Sequence, residues 1–130
     1  MIDKLAWIHL HDGRLLAARS RGRDVWFLPG GKRETGESDA EALTREIREE
    51  LGVALIPASL RLLGVFEAQA HGQPEGTIVR MTCYTGEAAG EPRASAEIEE
   101  LAWLSYADRG RVSVVAQMIF DRLRAERMLA

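Results

Sequence analysis

The sequence predicts a mixed α/β domain in which one sheet lies between two helices. Two observations carry this. Stretches with strand character come in groups, several before the first helical stretch and several before the second, without the strict alternation of a doubly wound fold. Only two stretches repeat apolar residues at strong helical spacing. A chain of 130 residues is the size of one domain, at roughly 100–200 residues per domain. Residues 1–130 are therefore read as a single unit.

Ile2 to Leu10 is rich in apolar, aromatic and β-branched types and reads as a strand. His11-Asp12-Gly13-Arg14 reads as a turn, and Leu15 to Arg19 as the returning strand. Val25-Trp26-Phe27-Leu28 reads as a short buried strand stopped by Pro29-Gly30-Gly31. A helix then follows: Ser38 with Glu41 has the form of a capping box, and Ala40, Leu43, Ile47 and Leu51 make one apolar stripe. Gly52 stands where a helix C-terminal glycine belongs. Leu62 to Ala70 and Thr77 to Thr85 read as antiparallel strands joined by His71 to Gly76. Gly86 to Pro92 reads as a loop and Glu99 to Leu104 as a short strand. The second helix is expected over Ser113 to Met128, with Val115, Ile119 and Leu123 as its apolar stripe. Arg122, Arg124 and Arg127 come late in it, where cations suit the helix dipole.

Composition narrows the function classes. Apolar residues make up 46% and charged residues 28%, with 17 basic against 20 acidic side chains and a net charge of −3. That balance offers no broad basic face for duplex nucleic acid, yet it permits a small phosphate-rich ligand held by a few local groups. Cys83 is the one cysteine, so no internal disulfide forms, and a reducing cytoplasm is the expected compartment. Asp3 and Lys4 precede any apolar stretch and no long apolar run follows, so neither a signal peptide nor a membrane span is expected.

The chemistry is concentrated on the first helix. Glu46, Glu49 and Glu50 stand at i, i+3 and i+4 and share one patch. At about 100° per residue, that patch lies roughly 115° from the apolar stripe. Like charges this close repel by roughly 0.2–0.5 kcal/mol per pair. One reading is a solvated acidic face relieved by Arg45 and Arg48. The other is a site for a hard divalent cation, since Mg²⁺ takes oxygen ligands in octahedral geometry and keeps several waters.

The wider pattern bears on this choice. Gly31 to Val53 runs GKRETGESDAEALTREIREELGV. It resembles the Nudix box, Gly-x5-Glu-x7-Arg-Glu-U-x-Glu-Glu-x-Gly-U, with U apolar. Gly31, Glu37, Arg45, Glu46, Glu49, Glu50 and Gly52 meet the fixed positions, and Ile47 and Val53 are the apolar pair. Fixed positions at about 7% usage each make a chance match on the order of 10⁻⁸ per start site.

The resemblance implies a Nudix-type α/β/α sandwich that hydrolyses a nucleoside diphosphate linked to another group, using Mg²⁺ or Mn²⁺. By motif position, Glu46 and Glu50 are implied metal ligands, with Glu49 auxiliary and the Gly30 carbonyl a further ligand. Arg45 and Glu37 correspond to the pair that holds the box in shape and orients the glutamates. The proton acceptor varies within the family. Glu50 is one candidate, and Glu97 is another, in the loop before the late strand, with Glu99 and Glu100 as competitors. Many members of the family dimerise, so a homodimer stays open as a partner, although the sequence identifies no exposed apolar stripe for it.

Outside the box, Arg19, Arg21 and Arg23 are candidates to clamp substrate phosphates, a task that suits guanidinium. Trp26 and Phe27 are candidates to stack on a base, with core packing as the competing reading. His9 and His11 share one side of the first strand without a third partner for a metal. Signatures of other Nudix branches are absent: Glu67-Ala68-Gln69 stands where ADP-ribose hydrolases have a proline, and Ala70-His71 where dinucleoside polyphosphate hydrolases have a tyrosine. MutT-type members read oxidised guanine with an asparagine, and this chain contains none, leaving Asp108 and Asp121 as stand-ins. Elimination leaves a nucleoside or deoxynucleoside triphosphate as the leading substrate. ADP-ribose or a nucleotide sugar is the alternative, and a catalytically silent nucleotide sensor the reading from another class.

Overall fold

The computed structural model describes residues 1–130. The first strand, β1 (Ile2–Ile8), alternates its side chains between two cores, as a strand must. Leu5 and Trp7 pack with one cluster, while Ala6 and Ile8 pack with another. Both faces are therefore buried. After a break at His9, β2 (Leu10–His11) and β3 (Arg14–Ser20) form a hairpin. Its two turn residues, Asp12 and Gly13, have φ of 52° and 76°. That is the left-handed pair a tight hairpin turn requires, and aspartate followed by glycine supplies it.

β4 (Gly30–Lys32) runs antiparallel beside β1, pairing Ala6 with Gly30. The sequence reads the Pro-Gly-Gly stretch as the end of a strand. Instead, its glycines begin an edge strand. A Cβ at Gly30 would lie 2.0 Å from the Leu5 carbonyl oxygen, so this close approach needs a residue without one. The expected strand at Val25–Leu28 is not a regular one. Phe27 bridges to Ala18 and Trp26 to Val112, in opposite senses. The segment crosses between elements, so no single neighbour offers it a ladder.

Helix α1 (Asp39–Leu51) has the predicted ends. The Ser38 N–H donates to Glu41 Oε1 at 2.9 Å, and the Glu41 N–H donates to Ser38 Oγ at 3.1 Å. Gly52 closes the helix at φ 69°. Leu43, Ile47 and Leu51 are buried as predicted, joined by Ala42 rather than Ala40. Burying each of the larger three stabilises the fold by roughly 1.5–3 kcal/mol.

β5 (Ala54–Leu55) pairs with β8 (Ala88–Ala89), inside what the sequence presents as loop. Pairs this short leave no periodicity to read. β6 (Arg61–Gln69) and β7 (Ile78–Thr85) form the predicted hairpin. β7 also runs parallel to β1 from Ile2↔Val79 to Ile8↔Thr85, which makes the sheet mixed, in the order β4-β1-β7-β6. β9 (Ile98–Leu104) pairs with β3. Helix α2 (Val114–Ala125) buries Val115, Ile119 and Leu123 and ends before Met128. Helix α1 and its cluster cover one face, and α2 with the larger cluster covers the other. The fold is an α/β/α sandwich. No helix is long and apolar enough to cross a membrane.

Candidate active site

The pairing of β4 with β1 brings the glycine strand under the C-terminal half of α1. The Gly30 N–H donates to Glu50 Oε1 at 3.2 Å. Glu50 is 8% exposed, one of two polar residues in the buried set. Burial pushes its carboxyl group up to about 8, reinforced by the charges of Glu46, Glu97 and Glu49 and opposed by the Gly30 N–H. Gly31 faces Glu46: a Cβ there would lie 2.5 Å from its carboxyl carbon. The second glycine is thus the space that this carboxylate occupies.

Arg45 organises the surrounding acids. Its Nε and Nη2 donate to the two oxygens of Glu37 at 2.8 and 2.9 Å, a bidentate pair. Its Nη1 donates to Glu46 Oε1 at 2.9 Å, and Nη2 also reaches the Lys32 carbonyl at 3.1 Å. Glu49 and Glu34 stand 3.6 Å from the same Nη1. Glu37 lies low, at about 2, held there first by Arg45 and then by the Glu34 N–H. Glu46, Glu49 and Glu50 share a patch, but no group of three acidic side chains closes into a ready ligand cage. Glu46 and Glu49 lean on Arg45, whereas Glu50 turns to Gly30.

The residues nevertheless fit a hard divalent cation. The donors are all oxygen, the glycine cradle leaves room for the Glu46 carboxylate, and a buried carboxyl group crowded by like charges is one that a cation would favour in ionised form.

The late loop is tied to this patch by backbone bonds that no sequence signal announces. The Arg93 N–H donates to the Leu51 carbonyl and the Ser95 N–H to the Glu50 carbonyl, each at 3.0 Å. These two carbonyls belong to the last turn of α1, where helical acceptors lack intrahelical partners. The Arg21 N–H closes the other side on the Glu97 carbonyl at 3.0 Å. Glu97 is exposed, enters no ion pair, and is near enough to act on Glu50. Its competitors differ. Arg19 Nη2 is 2.7 Å from Glu100 Oε1, and Arg19 Nη1 is 3.3 Å from Glu99 Oε2. Tertiary pairing thus separates three glutamates that look alike in sequence.

The candidate phosphate clamp is divided as well. Arg19 is occupied by Glu99, Glu100 and the Arg23 carbonyl. Arg21 and Arg23 are exposed, without ion pairs. Trp26 does not present a face for stacking. It is 5% exposed, in the larger core, with the Arg19 and Arg111 guanidinium groups 5.8 and 5.5 Å from its ring centroid. Asp108 is held by the Ser105 N–H and Arg111, and Asp121 by Tyr106 and Arg109. Neither is a free reader of a base. His9 stacks on Trp7 at 4.3 Å, and its ring meets Trp103 at 5.5 Å. It is an aromatic packing residue, with its pKa lowered by burial and then by His11. Cys83 is buried, its thiol pushed up to about 12 by desolvation.

Comparison with known proteins agrees with this fold. A sequence model described as the NUDIX domain matches residues 5–118. An RNA pyrophosphohydrolase of Halorhodospira halophila is 49% identical over 53 residues, covering 41% of this chain and 28% of that protein. A MutT-like protein of Streptomyces ambofaciens is 33% identical over 94 residues, 72% of this chain and 56% of that protein. This chain therefore spans about a quarter to about half the length of these relatives. The crystal structure of a MutT NUDIX hydrolase from Burkholderia pseudomallei superposes with a TM-score of 0.78 at 26% identity, covering 94% of this chain and 97% of the other. With the box on α1, the sandwich around it and a domain match over most of its length, this chain belongs to the NUDIX domain family.

Proposed function

We propose that this protein is a divalent-metal-dependent pyrophosphohydrolase that cuts a nucleoside or deoxynucleoside triphosphate to the monophosphate and pyrophosphate. One observation supports it above the others. Glu50, buried and pushed up to about 8, sits among Glu46, Glu49 and Glu97, which come from α1 and from the tethered late loop. A solvated acidic face does not bury one of its members against a glycine strand.

Glu46, Glu50 and the Gly30 carbonyl would hold Mg²⁺ or Mn²⁺, with Glu49 at the margin. When bound, such an ion neutralises phosphate oxygens and makes a water molecule a better nucleophile near neutral pH. The remaining work falls to the chain itself. Arg45, gripped by Glu37, holds Glu46 in one orientation. Glu97, exposed and free of cations, accepts the proton of the attacking water. Arg21 and Arg23 take the substrate's phosphates, and Arg21 is tied by its backbone to Glu97. Arg19 and Trp26 are outside this assignment, since each already has partners.

The name of the Halorhodospira relative supports testing a 5′-triphosphate on RNA as well, because the same phosphoanhydride is present there. The decisive experiment incubates the protein with Mg²⁺ or Mn²⁺ and a panel: the common ribo- and deoxyribonucleoside triphosphates, ADP-ribose, a nucleotide sugar and 5′-triphosphorylated RNA. Release of monophosphate and pyrophosphate from the free triphosphates is the expected result. Preferential cleavage of ADP-ribose or the sugar nucleotide would replace the substrate assignment. Cleavage of nothing, with binding retained, would make the protein a sensor.

A further inference from the structure

We infer that Arg33 and Tyr84, neither at a fixed position of the box, are positioning residues that set the orientation of Glu46 through a continuous clasp. This rests on the proposed function above, since it concerns the same carboxylates. The clasp begins in the sheet. Tyr84 on β7 donates its hydroxyl to Asp39 Oδ2 at 2.5 Å. The other oxygen of Asp39 stands 2.6 Å from Arg33 Nη1. Each oxygen thus has its own partner, which fixes the carboxylate at the start of α1. Arg33 Nη1 also donates to the Glu37 carbonyl at 3.3 Å, and Arg33 Nε reaches Asp3 Oδ2 on β1 at 3.4 Å. One guanidinium therefore joins β1, the turn before α1 and the first residue of α1.

From Glu37 the chain of contacts continues. The turn is closed on itself, with the Glu34 N–H on Glu37 Oε1 at 2.8 Å and the Glu37 N–H on the Glu34 carbonyl at 3.1 Å. Both Glu37 oxygens then hold Arg45, whose remaining nitrogen holds Glu46. The sequence of contacts is Tyr84, Asp39, Arg33, Glu37, Arg45, Glu46. Helix capping does not explain the first half, because Ser38 and Glu41 already complete the capping box without it. The anchor is also well chosen mechanically. Tyr84 is paired opposite Trp7 in the sheet and packs against the α1 cluster, so sheet and core both hold it. Without the clasp, the turn carrying Glu37 is free to shift, and Arg45 and Glu46 shift with it. A displacement of about 1 Å at a reacting group can lower a rate on the order of 100-fold.

The test measures Mn²⁺ binding directly, by the loss of the free-ion electron paramagnetic resonance signal, alongside kcat and KM. Arg33→Ala is expected to weaken Mn²⁺ binding and lower kcat by about 10–100-fold, the usual effect of removing a residue that orients a ligand. KM should stay nearly constant. Tyr84→Phe acts two contacts further out, so a smaller loss in both is expected, and Arg33→Lys should recover part of what Arg33→Ala loses. Faster hydrogen exchange at the Glu34 amide, with the α2 amides unchanged, would mark a local loosening. If Arg33→Ala and Tyr84→Phe only lower Tm while Mn²⁺ affinity and kcat match the parent protein, the clasp is structural and the inference is wrong. Should Arg33→Ala fail to fold, Tyr84→Phe and Arg33→Lys decide by the same readings. Absence of Mn²⁺ binding in the unmutated protein would instead overturn the functional reading, and this inference with it.

Discussion

Helices α1 and α2 differ by one residue in length, 13 against 12, yet they are stabilised in different ways. Helix α2 has no side-chain cap at Ser113 and carries its basic residues late, and it is held by the larger core through Val115, Ile119, Phe120 and Leu123. Helix α1 packs against the smaller core and also carries Glu50, a buried carboxyl group crowded by like charges. It compensates locally, with a full capping box, a left-handed glycine at its end and the Arg45 network. The difference teaches where function resides. The helix that carries destabilising charge is the one with the full set of caps, while the helix without a side-chain cap depends on the larger core and on the ion pairs of Asp121 with Arg109 and of Arg122 with Glu126.

The largest expected effect breaks the comparison at its centre. Glu50→Gln should lower kcat by about 10²–10⁴-fold, the range associated with losing a group that handles charge or protons. In EDTA it should raise stability. The sign follows from the raised pKa: between the unfolded value near 4.5 and about 8, the fold binds a proton that the unfolded chain does not, so stability falls as pH rises through that window. The gain for Gln is therefore greatest above about pH 8 and absent below about pH 4, which melting curves at the two extremes would check. Equal melting at pH 9 would mean that Glu50 is not strained.

Glu97→Gln should lower kcat by about 10²-fold with a small change in KM, whereas Glu100→Gln, which removes one of the partners of Arg19 and leaves it Glu99 and the Arg23 carbonyl, should leave kcat near the parent value. Equal rates in both variants would remove Glu97 from the mechanism. On the other helix, Phe120→Ala should cost about 3–5 kcal/mol by denaturant melting while activity per folded molecule is kept. Capping gives a smaller contrast: Ser38→Ala should lose about 1 kcal/mol and Ser113→Ala close to none. The smallest effect is a titration. Glu37 is depressed, so its contribution is full above its unfolded value near 4.5 and is lost progressively as pH falls from there through about 2. Carboxyl NMR should show Glu37 still ionised at pH 3.5, where ordinary glutamates are largely protonated.

Much of α1 was legible because its information is local. The capping box spans Ser38 to Glu41, the C-terminal turn needs Gly52, and the acidic patch follows from i, i+3 and i+4 spacing. β5, β8 and the crossing at Trp26 were not legible, because each depends on partners far along the chain and is too short to show a period. The same holds for the candidate site. The resemblance of Gly31 to Val53 to the Nudix box carried the metal reading of Glu46, Glu49 and Glu50, but nothing near Glu97, Glu99 or Glu100 reveals which one Arg19 leaves free.

By itself, then, the sequence determined the family, the order of the main elements and the side chains that gather on one helical turn. Each of those rests on residues within a few positions of one another, whose geometry the helix dictates. The tertiary structure decided which acids are neutralised, that Trp26 is core rather than platform, and that Tyr84 reaches Asp39. Those outcomes depend on contacts between residues tens of positions apart. Which of several chemically equivalent partners meets another is settled only when the sheet is assembled and the helices are packed on it.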